Sequence, residues 1–161
     1  MKEIKLTQNK IALVDNEDFE WLNRWKWHAH LNRRYWYAIR ADRLGQKRKT
    51  IFMHRLILEY HGFDLKGLDV DHINHDGLDN RLKNLRPATR SQNQQNQRPI
   101  RGMSPYKGVS WNSGHHKWMA QISINSHQIY LGYFDNEKSA AKIYNQAALM
   151  LFEKFACLNN I

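Results

Sequence analysis

The sequence predicts an α+β protein made of two small domains. The 161 residues are enough for one ordinary domain or two small ones. Strand-like runs rich in aromatic and β-branched residues occur on both sides of residues 94–104, which are polar and lack periodicity. Runs with helical spacing accompany the strands on both sides. We therefore place the domains at residues 1–97 and 105–161, joined by a linker at 98–104.

The charge of the chain indicates a polyanionic partner. Lys and Arg total 25 against 15 Asp and Glu, and the formal net charge of +10 favours nucleic acid. No apolar run is long enough to span a bilayer, and the N-terminus lacks the apolar core of a signal peptide. The single cysteine, Cys157, excludes an internal disulfide and suggests a reducing, intracellular setting. We therefore expect a cytoplasmic protein with no membrane partner, and Cys157 as a small core residue.

The first 61 residues are predicted to form a supporting sheet with short helices. The tryptophans of this segment are assigned to its core. Whether its basic turns contact phosphates stays open, because neither turn has a base-reading signature. The pattern indicates a strand at 10–14, a helix capped by Asp15 or Asp18, an aromatic hairpin at 25–41, a basic turn at 45–50 and a helix at 54–60.

Residues 70–93 are the stretch around which the chain is organised. They predict a short strand at 70–73, a polar loop in which Gly77 provides a positive φ, a second strand at 85–89, and a polar helix capped by Ser91. In this arrangement four polar side chains can converge on one small site: Asp71, His72, Asn84 and Asn93.

These residues resemble the motif of HNH endonucleases, whose core is a ββα-metal fold. The resemblance rests on Asp71 with His72, on Asn84, and on Asn93. Upstream, residues 53–57 resemble the His-Arg segment that precedes this core in phage homing endonucleases. The resemblance implies that His72 is the general base and that Asp71 and Asn93 hold one divalent metal. It also implies that Asn84 fixes the imidazole from the neighbouring strand.

Hydrolysis of a phosphodiester requires those residue types. Histidine has the unperturbed pKa suited to activating water near neutral pH. A cation beside the leaving oxygen stabilises the charge that develops there. Asp and Asn supply hard oxygen ligands, which favour Mg²⁺ or Mn²⁺ over Zn²⁺, and phosphate oxygens and water would complete the shell. No cysteine lies nearby to complete a tetrahedral site, so we expect no structural zinc.

Three further residues of this domain are candidates. Two roles stay open for His54: assistance at the metal or the scissile phosphate, which places it among the catalytic candidates, and a buried position that fastens its helix to the core. Arg55 and Arg86 are candidates for binding DNA.

The second domain shows three strand patterns and one helix. The strands are predicted at 106–111, 117–124 and 127–133, and the last two are joined by a tight turn at Asn125 and Ser126. Asp135 or Asn136 is expected to cap a helix that runs to about residue 152. Its predicted apolar face consists of Ala140, Ile143, Tyr144, Ala147, Ala148 and Leu151.

This second unit resembles the AP2 DNA-binding domain, a three-stranded antiparallel sheet with one packed helix. The resemblance is carried by residues 106–110, 117–122, 130–134 and 139–144. In that family one face of the sheet enters the major groove. Short polar residues stand here where the plant members carry arginines, which predicts loose sequence specificity. The implied DNA-binding face consists of Lys107, Ser110, Asn112, Lys117, Gln121, Ser123 and Tyr130.

Together these patterns predict a metal-dependent endonuclease that acts on double-stranded DNA, similar to phage HNH homing endonucleases and positioned by the AP2-like unit. The resemblance implies a phage-infected bacterial host and no small-molecule cofactor. One site per chain implies one strand cut per binding event, so double-strand cleavage requires a DNA-induced dimer or two events by a monomer. Two alternatives stay open: a catalytically inactive DNA-binding regulator, and a phage repair or packaging nuclease.

Overall fold

The computed structural model describes residues 1–44, 47–99 and 102–161, except for the side chains at positions 43, 44, 47 and 48. The chain divides into two compact units, Met1–Arg90 and Ser91–Ile161, and the domain boundary expected after residue 97 stays a prediction. Parts of the expected basic turn and linker, at 45–46 and 100–101, lie outside the described residues.

Small antiparallel sheets and short helices make up the described chain, in agreement with the α+β class. None of its described helices combines the length and apolar character of a membrane span.

The first unit is built from short strands that pair antiparallel with their neighbours in the chain. The paired sets are β1 with β2, β3 with β4 and β5, and β6 with β7. In chain order the elements are β1 (Lys2–Lys5), β2 (Ile11–Val14), α1 (Asn16–Leu22), β3 (His28–Asn32), β4 (Tyr35–Leu44), β5 (Lys47–Phe52), α2 (Met53–Tyr60), β6 (Asp69–His72), a 3₁₀ turn (Leu82–Asn84) and β7 (Leu85–Ala88).

The core of this unit forms around α2. Trp27 is buried in it as predicted, and its indole N–H donates to the Leu22 carbonyl oxygen at 2.9 Å. Trp25 is 38% exposed, with the Arg40 guanidinium 4.5 Å from its ring centre, so its assignment to the core is wrong. The largest fully buried apolar side chains are Val14, Leu22, Met53, Ile57 and Leu58.

The loop between β6 and β7 is fastened to β2 and to the start of α1. Leu13 donates its N–H to the Leu78 carbonyl oxygen at 2.8 Å and accepts from the Asn80 N–H at 2.8 Å. The carboxylate of Asp15 accepts from the Leu82 N–H at 2.7 Å. Asp15 stands at the N-cap position of α1 as predicted, yet its side chain makes no bond to that helix. The N-terminal segment therefore fixes the loop that joins the two short strands.

The second unit is a three-stranded antiparallel sheet with a long helix, as predicted. The strand order is β10–β9–β8, and the β9–β10 turn at Asn125 and Ser126 has positive φ at both residues, the geometry of a type I′ hairpin. The helix α3 begins at the last residue of the first unit, so Ser91 lies inside it and is not its cap. The elements are α3 (Arg90–Gln95), β8 (Val109–Asn112), β9 (Lys117–Ile124), β10 (His127–Phe134), α4 (Glu137–Phe152) and a 3₁₀ turn (Glu153–Phe155).

The helix α4 lies close on one face of this sheet because its inner face is rich in alanine. Asn136 caps the helix, its Oδ1 accepting from the Lys138 N–H at 2.8 Å. Leu151, predicted on the apolar face, is 40% exposed, since the buried stripe passes through Ala148 and continues to Phe152 one turn later. Cys157 is buried as predicted. The buried residues of α4 are Ala140, Ala141, Tyr144, Ala148 and Phe152.

Candidate active site

Asn84 ties the β6–β7 loop to the start of β7. Its side-chain amide donates to the Asp79 carbonyl oxygen at 2.7 Å and to Asn74 Oδ1 at 3.0 Å. Its Oδ1 accepts from the Asn74 N–H at 3.0 Å. Asn84 is buried, and a buried amide must find such partners inside the protein. These bonds brace the loop, and the effect on the imidazole that the resemblance implies for Asn84 stays a prediction.

Asp79 forms the second brace of the same loop. Its carboxylate accepts from Arg81 Nε at 2.7 Å and Nη2 at 2.6 Å, and from Asn74 Nδ2 at 2.8 Å. The bonds from Arg81 lower the pKa of Asp79. This aspartate lies in the polar loop that the sequence predicts. The structure gives it a two-point ion pair, which holds the loop in one conformation.

Gly77 is needed in this loop for space and not for a positive φ. The residue with the positive φ is His75, at 67°. A Cβ at position 77 would overlap the Trp36 carbonyl oxygen and lie 3.0 Å from the Tyr37 ring. The prediction that Gly77 provides a positive φ is therefore wrong, and the glycine is required because a Cβ would not fit. The glycine lets the loop pack directly on β4, which brings Tyr37 to the candidate site.

His72 ends β6 and is buried, 7% exposed, among aromatic rings. Its ring centre lies 5.0 Å from that of His54, with the two planes perpendicular, and 6.0 Å from that of Tyr37. Burial lowers the pKa of His72, opposed by a hydrogen bond with the Asn80 side chain and by the charge of Asp71. The imidazole is therefore neutral over most of the neutral pH range, the state that a general base requires.

His54 lies on α2 directly against His72. Its ring packs 5.3 Å from Phe52 and 5.6 Å from Tyr37, measured between centres. Burial, followed by the charge of His72, holds the pKa of His54 well below its ordinary value. Its Nδ1 has no hydrogen-bond partner among the described residues. This burial agrees with the packing role that the sequence left open, and a catalytic role for His54 stays a prediction.

Asp71 and Arg86 face each other across β6 and β7. The Asp71 Oδ2 accepts from Arg86 Nε at 2.8 Å and Nη2 at 2.6 Å, and Asp71 is 4% exposed. The register of the two strands places these residues opposite each other, so the pair follows from the strand pairing. Arg86, a DNA-binding candidate from the sequence, is thus engaged by the proposed metal ligand.

Arg55 is engaged inside the first unit. Its guanidinium donates to the carbonyl oxygens of Leu68 at 2.8 Å and Leu65 at 3.2 Å, and it lies 3.8 Å from the Glu59 carboxylate. These contacts anchor the segment that leads from α2 into β6. The phosphate contact expected of Arg55 stays a prediction.

The donors expected for a metal are few. Within the described ranges, no group of three or more His, Cys, Asp and Glu side chains is arranged to hold an ion. Asn93 is half-buried on α3 and belongs to the second unit, so its pairing with Asp71 at one metal stays a prediction. A carboxylate and an amide oxygen suit a hard cation that keeps water and phosphate ligands, which fits Mg²⁺ or Mn²⁺.

The sheet face opposite α4 carries most of the predicted DNA-binding residues. The register pairs Ser110 with Met119, Asn112 with Lys117, and Gln121 with Tyr130, so all of these side chains lie on one face. This face is polar and aromatic, with the Tyr130 and Tyr133 rings 5.1 Å apart and His115 4.3 Å from Tyr133. Ser123 shares this face and is exposed.

The two predicted lysines of this unit differ. The ammonium of Lys117 is partly exposed and lies 3.2 Å from the exposed carboxylate of Asp135. The ammonium of Lys107 instead donates to backbone carbonyl oxygens at the end of α3, with its shortest bond, 2.5 Å, to Gln95. Lys117 is therefore in a surface ion pair, whereas Lys107 is engaged by backbone carbonyl oxygens, and both partners lie within the second unit.

Comparison with known proteins identifies the family. The family model described as HNH endonuclease matches residues 52–95, a range that includes His54, Asp71, His72, Asn84 and Asn93. An uncharacterised HNH endonuclease of Acanthamoeba polyphaga mimivirus is 30% identical over 150 residues, covering 93% of this chain and 75% of that protein. The chain belongs to the HNH endonuclease family.

The match to this HNH endonuclease family model ends at residue 95, within α3. The similarity to the mimivirus protein continues through most of the chain, because it covers 93% of it. The family model therefore covers the segment from the end of β5 to the end of α3, which includes β6 and β7. The AP2 resemblance of the second unit is not part of what these comparisons found.

Two residues beside His72 were not predicted from the sequence, Tyr37 and Asn80. Tyr37 lies on β4, far from His72 in sequence, and only the packing of the Gly77 loop brings it there. Asn80, fully buried beside the imidazole, was hidden in a run of turn-forming residues. The absence of a Cβ at Gly77 was the one signal that something approaches this loop closely.

We expect the stability of the HNH endonuclease to fall as the pH decreases below about 6.5, the ordinary pKa of histidine. The folded state lowers the pKa of both His54 and His72, so between 6.5 and the folded-state pKa the unfolded chain binds more protons. Each histidine contributes a loss of up to about 1.4 kcal/mol in unfolding free energy per pH unit in that window. Urea unfolding at pH 7.5, 6.0 and 5.0 in the presence of chelator measures the slope of the unfolding free energy against pH.

The control variants for this measurement are His54→Gln and His28→Gln. The first removes one buried titrating group and should reduce the slope, whereas His28 is exposed on β3 and its replacement should not. If the free energy of unfolding of His54→Gln depends on pH as strongly as that of the unmodified chain, His54 is not a buried histidine with a lowered pKa.

Proposed function

We propose that this member of the HNH endonuclease family is a metal-dependent DNA endonuclease of the homing type, which hydrolyses one phosphodiester bond per active site. The observation that supports this most directly is His72: a buried imidazole whose neutral form is favoured, next to Asp71 in sequence at the end of β6. A neutral imidazole accepts a proton from water at neutral pH. The net charge of +10 suits a DNA substrate.

In this proposal the residues have separate tasks. His72 takes the proton from the attacking water, and the rings of His54 and Tyr37 keep its imidazole in place. Asp71 and Asn93 would hold Mg²⁺ or Mn²⁺, and the bound cation would supply positive charge beside the leaving oxygen. Arg86 holds the Asp71 carboxylate in one orientation through its two bonds to Oδ2.

The Asp71–Arg86 pair also supports a second candidate function, a DNA-binding protein that does not cleave. A carboxylate bonded to an arginine has part of its charge neutralised, which weakens its attraction for a cation. Incubation of the protein with supercoiled plasmid and Mg²⁺ or Mn²⁺ separates the two functions. Nicked or linear DNA supports the nuclease, and its absence with retained binding supports the regulator.

The homing role and a role in repair or packaging share this chemistry, and genomic context separates them. The homing role requires cleavage at one long site. Mapping of the cleaved ends on a phage-sized DNA tests this, and dispersed ends would contradict the homing role.

We expect His72→Ala to lower the rate of plasmid cleavage by at least about a hundredfold, because the general base is lost. DNA affinity should stay within about twofold, since His72 is buried and carries little charge at neutral pH. The matched control is His28→Ala on the exposed side of β3, which should cleave like the unmodified chain. Near-normal cleavage by His72→Ala would remove His72 from the mechanism.

We expect Asn93→Ala to raise the Mg²⁺ concentration needed for half-maximal cleavage by about tenfold or more, because a ligand oxygen is lost. The control is Gln94→Ala, an exposed neighbour on the same helix, which leaves the requirement unchanged. A titration of cleavage rate against Mg²⁺ for both variants measures the effect. Equal requirements in the two variants would exclude Asn93 as a ligand.

The second part of the proposal is that the sheet of the second unit binds DNA as an AP2-like module and positions the cut. Its support is the shared face of Ser110, Asn112, Lys117, Gln121 and Tyr130, which lies opposite the packed helix. The salt bridge of Lys117 with Asp135 joins two exposed groups, so it is weak and a phosphate can replace it.

We expect Lys117→Met to reduce the slope of log affinity against log salt by about 0.9, the effect of one phosphate contact. Lys142→Met is the control, because Lys142 is exposed on α4, which covers the other face of the sheet. Gln121→Ala should change site preference more than salt slope, because an amide can pair with an adenine edge. Equal slopes for the two lysine variants would contradict DNA binding by this face.

A further inference from the structure

Lys107 closes the C-terminal end of α3. Its Nζ donates to the carbonyl oxygens of Gln95 at 2.5 Å, Gln97 at 2.7 Å and Gln94 at 3.5 Å. The last carbonyl groups of a helix have no partner inside the helix, and their negative dipole end attracts a cation. An ammonium group has three N–H donors, and here they point at these carbonyls.

The backbone of Lys107 is itself fixed by an asparagine clasp, formed by Asn145 and Asn159. The Lys107 N–H donates to Asn159 Oδ1 at 2.7 Å, and Asn159 Nδ2 donates to the Lys107 carbonyl oxygen at 3.1 Å. Asn159 in turn exchanges two bonds with Asn145 on α4, at 2.7 and 2.9 Å. The lysine that holds α3 is therefore anchored to the longest helix of the second unit.

The helix α3 needs such a contact. It has six residues, all of them polar, and none of them is buried. A helix of this length is unstable in water without tertiary contacts, because too few hydrogen bonds follow the costly first turn. It also carries Asn93, so the position of that side chain depends on whatever keeps the helix formed.

We propose that Lys107 is a positioning residue that keeps α3 formed and thereby holds Asn93 in place for metal binding. This rests on the proposed function in one respect, the assignment of Asn93 as a ligand. Burial lowers the pKa of Lys107, in agreement with an ammonium withdrawn from solvent. In this proposal Lys107 moves from the DNA-binding face, where the AP2 resemblance had placed it, to the support of the nuclease site.

Two lysines of the same unit provide the test. Lys107→Met keeps most of the side-chain volume and removes the ammonium, and Lys117→Met does the same at a partly exposed position on the sheet. Hydrogen exchange of the backbone amides is measured on both full-length variants, together with the Mg²⁺ requirement for plasmid cleavage and the affinity for DNA.

In Lys107→Met we expect the α3 amides to exchange about tenfold faster, the effect of losing charged hydrogen bonds at a helix end. The Mg²⁺ requirement should rise with it, while DNA affinity and its salt slope stay unchanged. Lys117→Met should show the opposite pattern, with a lower salt slope and unchanged α3 exchange. Unchanged α3 exchange in Lys107→Met would overturn the proposal, and a lowered salt slope would return Lys107 to the DNA-binding face.

Exchange of the α4 amides shows whether Lys107→Met has folded. If the α4 amides also lose protection, the test uses Lys107→Arg instead, because this variant keeps a cation at the C-terminal end of α3. Protection of α3 in Lys107→Arg then supports the proposal, and its loss overturns it. The exchange measurement does not need an active enzyme. If the unmodified chain cleaves nothing while α3 still depends on Lys107, the nuclease function fails and the support of the helix stands.

Discussion

The central constraint on this structure is that the strand pair of β6 and β7, which carries Asp71 and His72, is too small to be stable alone. The strands β6 and β7 have four residues each, and an isolated two-stranded ribbon is at best marginally stable in water. The geometry of this strand pair therefore depends on its connecting loop and on contacts with other segments. Asn84 and Asp79 tie the loop together, and Leu13 and Asp15 fasten it to the N-terminal strands and helix.

Burial gives the same site its chemical character. A histidine in water is about half protonated near pH 6.5, and the aromatic surroundings of His72 shift that balance toward the neutral form. The nearby charge of Asp71 acts in the opposite direction, so the carboxylate limits the shift. Because His54 stands against the ring and is neutral for the same reason, the pair avoids two positive charges at close range.

Much of the fold was predictable from the sequence because the relevant signals are local. The hairpin at Asn125 and Ser126, the cap at Asn136 and the alternation along β9 each depend on a few neighbouring residues. The patterns at residues 70–73 and 85–89 likewise predict the two short strands β6 and β7, with Asp71 and His72 on the first of them. These are the features for which spacing is an adequate guide.

The rest depended on contacts between segments far apart in sequence. The approach of Tyr37 to His72 needs the loop at Gly77 to lie on β4, and nothing in either segment alone specifies that. The AP2 resemblance assigns Lys107 to the sheet face, and its contact with DNA stays a prediction. Its ammonium donates to carbonyl oxygens at and just beyond the end of α3. A resemblance in sequence does not specify where an ammonium at the end of four methylenes lies.

The asparagine clasp also affects the order in which the segments of the protein can fold during synthesis. The residues of β6 and β7 leave the ribosome first, and their strand pair can form early. On our proposal α3 keeps an uncapped end until Lys107 has emerged, and Lys107 is fixed only after Asn159 has followed. A growing chain would therefore hold an unfinished nuclease, and its capacity to damage DNA would arise only once the second unit has folded.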